Sequence, residues 1–255
     1  MRTLGFFECR RTAITALLKG STIESLIAQA RTAEFDGADG IAVELCLLPP
    51  ELRTEENFSR LMEEVRLPFM FLVYRNDEFL GADDEARQAC LMAAAHAGAE
   101  IIDVMGDLFD PSPRELTRNP EAIRRQKELI CRYHAAGAKV VISSHMSEAL
   151  SAEEVLEHLR EQASRGADLV KIVTKSDTEE DFLEAIRTTM LLKRELEVPF
   201  IHLTSGKFGR LHRYLGTKLG CSIEFAVSGY SEKPLLSQPT IRSFRGVMES
   251  LCWRI

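Results

Sequence analysis

No stretch of these 255 residues is long and apolar enough for a membrane span. The apolar runs are strand-sized, well short of the roughly 18 residues such a span requires. The opening Met1-Arg2-Thr3-Leu4 lacks the apolar segment and small-residue cleavage site of a signal peptide, so a cytoplasmic address is expected. The six cysteines (Cys9, Cys46, Cys90, Cys131, Cys221 and Cys252) form no Cys-x-x-Cys pair. Zinc spacing and a redox pair are therefore absent, a disulfide framework is not expected, and most of the thiols should be buried. There is no His-Glu-x-x-His and no compact phosphate loop, so nothing in the motifs calls for a metal. An excess of basic charge is missing too. Lys plus Arg number 32 against 39 Asp plus Glu, a net charge of −7, which excludes a general nucleic-acid binder.

What is present is core material. Apolar residues make up 45% of the chain and charged residues 28%, enough to bury a sizeable interior. The length suits one large α/β domain or two small ones. One local pattern recurs at Gly37-Ala38-Asp39, Gly98-Ala99-Glu100, Gly137-Ala138-Lys139 and Gly166-Ala167-Asp168, each followed by an apolar run. Glycine after a helix supplies the left-handed conformation that residues with a Cβ resist, so each copy reads as helix, tight turn, buried strand. The spacings of 61, 39 and 29 residues are too irregular for a solenoid and suit βα units with variable loops.

Strands are expected at Ala13–Leu18, Gly40–Leu45, Phe69–Tyr74, Ile101–Val104, Lys139–Ser144, Leu169–Val173, Phe200–Leu203 and Ser222–Ala226. Near-continuous apolar runs of this kind mark parallel strands covered on both faces. Helices are expected at Thr22–Phe35, Asp83–His96, Asn119–Ala136 (asparagine cap, then proline) and Ser151–Arg165, which opens on a capping box. Eight strands alternating with about eight helices predict a single (β/α)8 TIM barrel over residues 1–255, ahead of an open doubly wound sheet. Residues 1–10 form an N-terminal segment, with Thr3–Phe7 a short strand capping the barrel floor. Ser228–Pro239, bracketed by glycine and prolines, is expected to close over the site.

Barrel enzymes carry their chemistry at the C-terminal strand ends. The polar residues there are Glu44, Arg75, Asp103, Ser144-His145, Lys171, Thr204-Ser205 and, beyond the eighth strand, Gln238. Period-2 geometry places Leu169, Lys171 and Val173 on one face, and a lysine is seldom buried unless paired or functional. Desolvation and cationic neighbours would free a neutral amine to attack a ketone. The other reading is an internal ion pair with Glu44 or Asp103. His145 ends the preceding strand and can move a proton between carbon and a leaving hydroxyl. Of the other histidines, His96, His134 and His158 sit in helical patterns and are expected at the surface; His202 lies in a strand, and His212 shares a loop with Arg213. Guanidinium groups at Arg75 and Arg213 suit a carboxylate, with phosphate the competing ligand.

These residues together resemble the type I 3-dehydroquinate dehydratase family, the Schiff-base dehydratases of the shikimate pathway and aromatic amino acid biosynthesis. The likeness runs from about Ala13 to Leu251. It rests on Val141-Ile142-Ser143-Ser144-His145, Gly166 to Lys171, the glycine-spaced loop ending at Arg213, the late Gln238, Glu44 and Arg75. The resemblance implies a lyase that dehydrates 3-dehydroquinate to 3-dehydroshikimate. Lys171 forms the imine, His145 serves as acid and base, and no metal or organic cofactor is needed because the lysine is the electron sink. Arg213 and Gln238 would hold the substrate carboxylate, and Glu44 and Arg75 the ring hydroxyls. A glutamate, Glu78 or else Glu44, would orient the imidazole.

Several positions depart from the family pattern. Glu44-Leu45-Cys46 stands where members read Glu-Trp-Arg, so Cys46 lacks the charged donor. The orienting glutamate should fall on Phe79, one residue beyond Glu78. Pro234 replaces the usual serine, leaving Ser237 to take its place. These departures keep open a paralogous Schiff-base lyase or aldolase acting on another polyhydroxylated keto acid. A non-catalytic binding protein on the same scaffold is the alternative of a different class. The expected partner is a cyclic hydroxy-keto carboxylate, with no nucleic acid and no membrane, and exposed helix faces permit a homodimer.

Overall fold

The computed structural model describes residues 5–8, 11–230 and 238–251. Eight strands alternate with eight main helices: β1 Ala13–Leu18, α1 Ile23–Phe35, β2 Gly40–Glu44, α2 Glu55–Glu63, β3 Phe69–Leu72, α3 Asp84–His96, β4 Ile101–Met105, α4 Pro120–Ala135, β5 Lys139–His145, α5 Ala152–Ser164, β6 Leu169–Lys175, α6 Glu179–Glu195, β7 Phe200–Ser205, α7 Gly209–Leu219, β8 Ile223–Ala226 and α8 Ile241–Ser250. The strands are parallel and run in spatial order β7-β6-β5-β4-β3-β2-β1-β8, a nearly closed (β/α)8 barrel. β8 pairs with β1, while at the seam with β7 the Ser222 N–H reaches the Phe200 carbonyl at 2.9 Å.

Local chemistry explains the elements. The four repeated glycines, Gly37, Gly98, Gly137 and Gly166, all have φ between 89° and 103°, the left-handed region that ends each helix and feeds the next strand. Thr22, Asp83, Asn119 and Ser151 each accept a backbone N–H at a helix start, and Ser151 with Glu154 completes the capping box. Alternation along the strands then sorts the side chains. Ala42, Met70, Leu72, Ile101, Val141, Leu169, Ile201 and Phe225 fill the lumen. Ile41, Val43, Ile102, Val140, Ile142 and Val170 pack under the helices.

At the barrel floor, residues 5–8 form a turn rather than the expected strand, closed by the Glu8 N–H on the Gly5 carbonyl. Thr3 and Leu4 lie outside the described residues. The capping role falls to Phe6, whose ring joins the lumen cluster and sits so close to Gly40 that a Cβ there would lie 2.3 Å from it. Among the described residues no helix is long and apolar enough to cross a membrane. Cys46 and Cys221 are buried free thiols, Cys90 is half-buried and Cys131 exposed.

Candidate active site

The inward positions at the C-terminal ends of the strands form a polar ring above the apolar lumen. β6 directs Lys171 inward, and its side chain is 4% exposed. Nζ donates to the Tyr74 hydroxyl at 2.6 Å and to Asp103 Oδ2 at 3.1 Å. The ion pair left open by the sequence is thus made with Asp103. The charged neighbour within ion-pair distance is a carboxylate, where cationic neighbours were expected. Asp103 also accepts from Tyr74 at 2.8 Å and from Ser143 at 2.5 Å. Three donors therefore balance one buried charge. Burial, and Asp103 beside it, push the Tyr74 phenol well above its ordinary range, so it remains protonated.

His145 ends β5, whose register sets Ser143 opposite Lys171. Its imidazole packs edge-on against Tyr74, with centroids 4.8 Å apart. The expectation that Glu78 or Glu44 orients this ring is corrected by the structure. Glu115 does so, accepting from the His145 backbone N–H at 2.8 Å and lying 2.9 Å from Nδ1. Burial raises the Glu115 carboxyl, but the hydrogen bonds and charge of His145 outweigh it and hold the group below the usual range. Nδ1 is thereby assigned as donor, leaving Nε2 free to exchange protons. Glu115 reaches the ring from the long β4–α4 loop, at a left-handed φ of 46°. Its carbonyl accepts from Ser144, and buried Arg165 pins the loop by donating to the Gly106 and Thr117 carbonyls.

Glu78 is exposed, and its backbone N–H bonds the Cys46 carbonyl. Glu44 is buried and paired with Lys19 at 2.7 Å. With Glu78, Cys46, Tyr230 and Gln238 these two line a cavity of about 630 Å³ on the β1–β2–β8 side of the mouth. Burial raises the Cys46 thiol to about 11, so it is no nucleophile near neutrality. Arg75 is largely engaged: its terminal nitrogens bond Asp107 at 2.7 Å and Asp84 at 3.3 Å, bracing the β3–α3 loop against the β4–α4 loop. Arg213 lies in α7 rather than a loop and is buried. Its Nε donates to the Thr204 carbonyl, and its Nη1 has no partner among the described residues. Gln238 Oε1 is likewise buried and unpaired among them. Ser237 lies outside the described residues.

Three participants escaped the sequence reading. Tyr74 was absorbed into an apolar strand, although period 2 from Met70 and Leu72 turns it inward. Lys19 follows β1 by one residue, as Arg75 follows its expected strand. Glu115 sits in a loop with no periodicity to announce it. His158 is a correction of another kind. It is buried rather than at the surface, on the inner face of α5, with Nε2 2.8 Å from Oγ of the outward-facing Ser144. His212 is also buried, in α7. Among the described residues no group of three or more His, Cys, Asp or Glu is placed to hold a metal ion.

A buried strand lysine beside an imidazole–carboxylate pair, at the C-terminal mouth of a (β/α)8 barrel, defines the class of barrel enzymes that work on carbonyl compounds through an amine. The comparisons narrow that class. The family model described as Type I 3-dehydroquinase matches residues 14–251, and the chain belongs to that family of hydro-lyases. A 3-dehydroquinate dehydratase of Klebsiella pneumoniae is 28% identical over 256 residues, covering 96% of this chain and 95% of the relative. One from Geobacillus kaustophilus is 28% identical over 222 residues, 75% of this chain and 85% of its own length. The crystal structure of a 3-dehydroquinate dehydratase from Geobacillus kaustophilus superposes with a TM-score of 0.81 at 18% identity, covering 96% and 92% of the two chains. A type I enzyme from Clostridium difficile, solved with covalently modified comenic acid, gives 0.78 at 19% identity, covering 97% and 93%.

Proposed function

We propose that this site dehydrates 3-dehydroquinate to 3-dehydroshikimate through an imine on Lys171. The observation that supports it most directly is the meeting of Lys171, Asp103 and Tyr74 in one hydrogen-bonded group, with His145 against the same tyrosine ring. Nζ adds to the ketone, and the carbonyl oxygen leaves as water. The resulting iminium draws electrons from the neighbouring carbon, so His145 can take its proton. The same imidazole, now charged, returns that proton to the departing hydroxyl, and water hydrolyses the iminium to free product and amine. Glu115 steadies the imidazolium, and Asp103 offsets the iminium charge. Arg213 and Gln238 supply donors for a carboxylate, and Glu44 with Lys19 meets ring hydroxyls.

Borohydride treatment in the presence of 3-dehydroquinate, read by mass spectrometry, tests ligand and residue together. A reduced adduct should appear on Lys171, and Lys171→Ala should abolish both adduct and turnover. His145→Ala should still form the adduct while turnover falls by roughly 10²–10⁴-fold, the usual contribution of a proton-transfer group. An adduct on Lys171 with another keto acid, and none with 3-dehydroquinate, would instead establish the paralogous lyase that the Cys46 departure motivates.

A further inference from the structure

We infer that Tyr74 is a positioning residue for Lys171, its phenol fixing first the amine and then the plane of the iminium that the amine becomes. This rests on the reading of Lys171 as the imine-forming residue. A single side chain here touches three partners. The hydroxyl bridges Nζ at 2.6 Å and Asp103 Oδ2 at 2.8 Å, and the ring meets the His145 imidazole at an interplanar angle of 75°. Proton counting sets the direction of each bond. The Asp103 carboxylate accepts, with Oδ1 taken by Ser143, so the phenol donates to Oδ2 and accepts an N–H from Lys171.

The reaction changes what Nζ can donate. An ammonium carries three N–H groups. On forming the iminium, two of those hydrogens leave with the carbonyl oxygen as water, and one N–H remains. Its nearest acceptor is the phenol oxygen, closer than Asp103, which lies at 3.1 Å. That bond sets the rotation of the C=N unit about the lysine stem. The adjacent C–H is acidified only when it stands perpendicular to the iminium plane, and it must then face the base. Because the Tyr74 ring also lies against His145, one residue fixes the relation between the π-system and the group that deprotonates beside it. Phenylalanine would fill the same space but leave Nζ held by Asp103 alone, on a flexible four-carbon stem.

The test is Tyr74→Phe, with Tyr74→Leu as a second removal of the oxygen. The readouts are kcat and KM for 3-dehydroquinate, the borohydride-trapped adduct and thermal unfolding. Misorientation of reacting groups by about an ångström costs up to roughly 10²-fold, so kcat should fall by about 10–100-fold. KM should stay within about threefold of wild type, the adduct should still form on Lys171, and Tm should stay within about 4 °C. A kcat within twofold of wild type overturns the inference. So does a change carried by KM alone, or failure of both variants to fold, since Tyr74 would then serve packing. If wild-type protein forms no adduct, the underlying reading of Lys171 falls; if wild type forms it and the variants match wild type, only the role of Tyr74 falls.

Discussion

At the scale of single residues, the base and its carboxylate are held by two bonds to one oxygen. Glu115 Oε2 meets both the backbone N–H and Nδ1 of His145, so ring and strand end are clamped together. Glu115→Gln keeps an acceptor but removes the charge that steadies an imidazolium. We expect kcat to fall by roughly 10–100-fold, a part of the 10²–10⁴ that a proton-transfer group supplies, with adduct formation on Lys171 intact. Parallel measurement of turnover and trapping checks this, and a slower trapping step would shift the role of Glu115 to imine formation. Lys171 and His145 were legible in the sequence because one stands within an apolar strand and the other closes one, so each inherits a direction from period 2. Glu115 was not, since a loop residue at positive φ has no neighbour whose pattern points its side chain.

At the scale of elements, the β4–α4 loop is what delivers that carboxylate, and its geometry depends on Gly106. A Cβ there would lie 2.5 Å from the Glu115 carbonyl and 2.9 Å from Ser144 Oγ. Backbone cannot yield as a side-chain tip does, so Gly106→Ala should displace the loop while β5 and β6 stay in register. The expected outcome is a loss of at least about 10-fold in kcat with the Lys171 adduct retained, because a base misplaced by about 1 Å can lose up to 10². A kinetic comparison with Glu115→Gln checks it: the two losses should not multiply when the changes are combined. The eight barrel strands, and the four helices with clear caps, were readable to within a residue or two; α2, α6, α7 and α8 were not placed, and the start of α7 read as a loop. Nor were the loops readable. Arg75, expected at a ligand, instead ties two of them together through Asp107 and Asp84, a use that only the folded distances reveal.

For the whole molecule, acid sensitivity should come from imidazoles buried between the strands and the helices. Burial, with cationic neighbours adding to it, lowers His158 to about 4 and His212 to about 3 from an ordinary 6.5. Burial also takes His202, packed edge-on against His212, well below that value. A base whose folded-state value is depressed stabilises the fold fully above pH 6.5, and that contribution is lost as pH falls toward the folded value. At pH 5 each such group costs about 2 kcal/mol, so Tm should drop between pH 7 and pH 5. His158→Gln should flatten the slope, and a Tm independent of pH across that window would contradict this account. The unequal closure of the barrel has a further consequence. The reacting groups occupy β3 to β6, a wall of uninterrupted ladders, whereas β7 and β8 meet loosely and are followed by the segments bearing Arg213 and Gln238. Local opening should therefore favour the β7–β8 seam over the ladders that carry Lys171 and His145, and amide exchange should be faster at Ser222 than at Lys171.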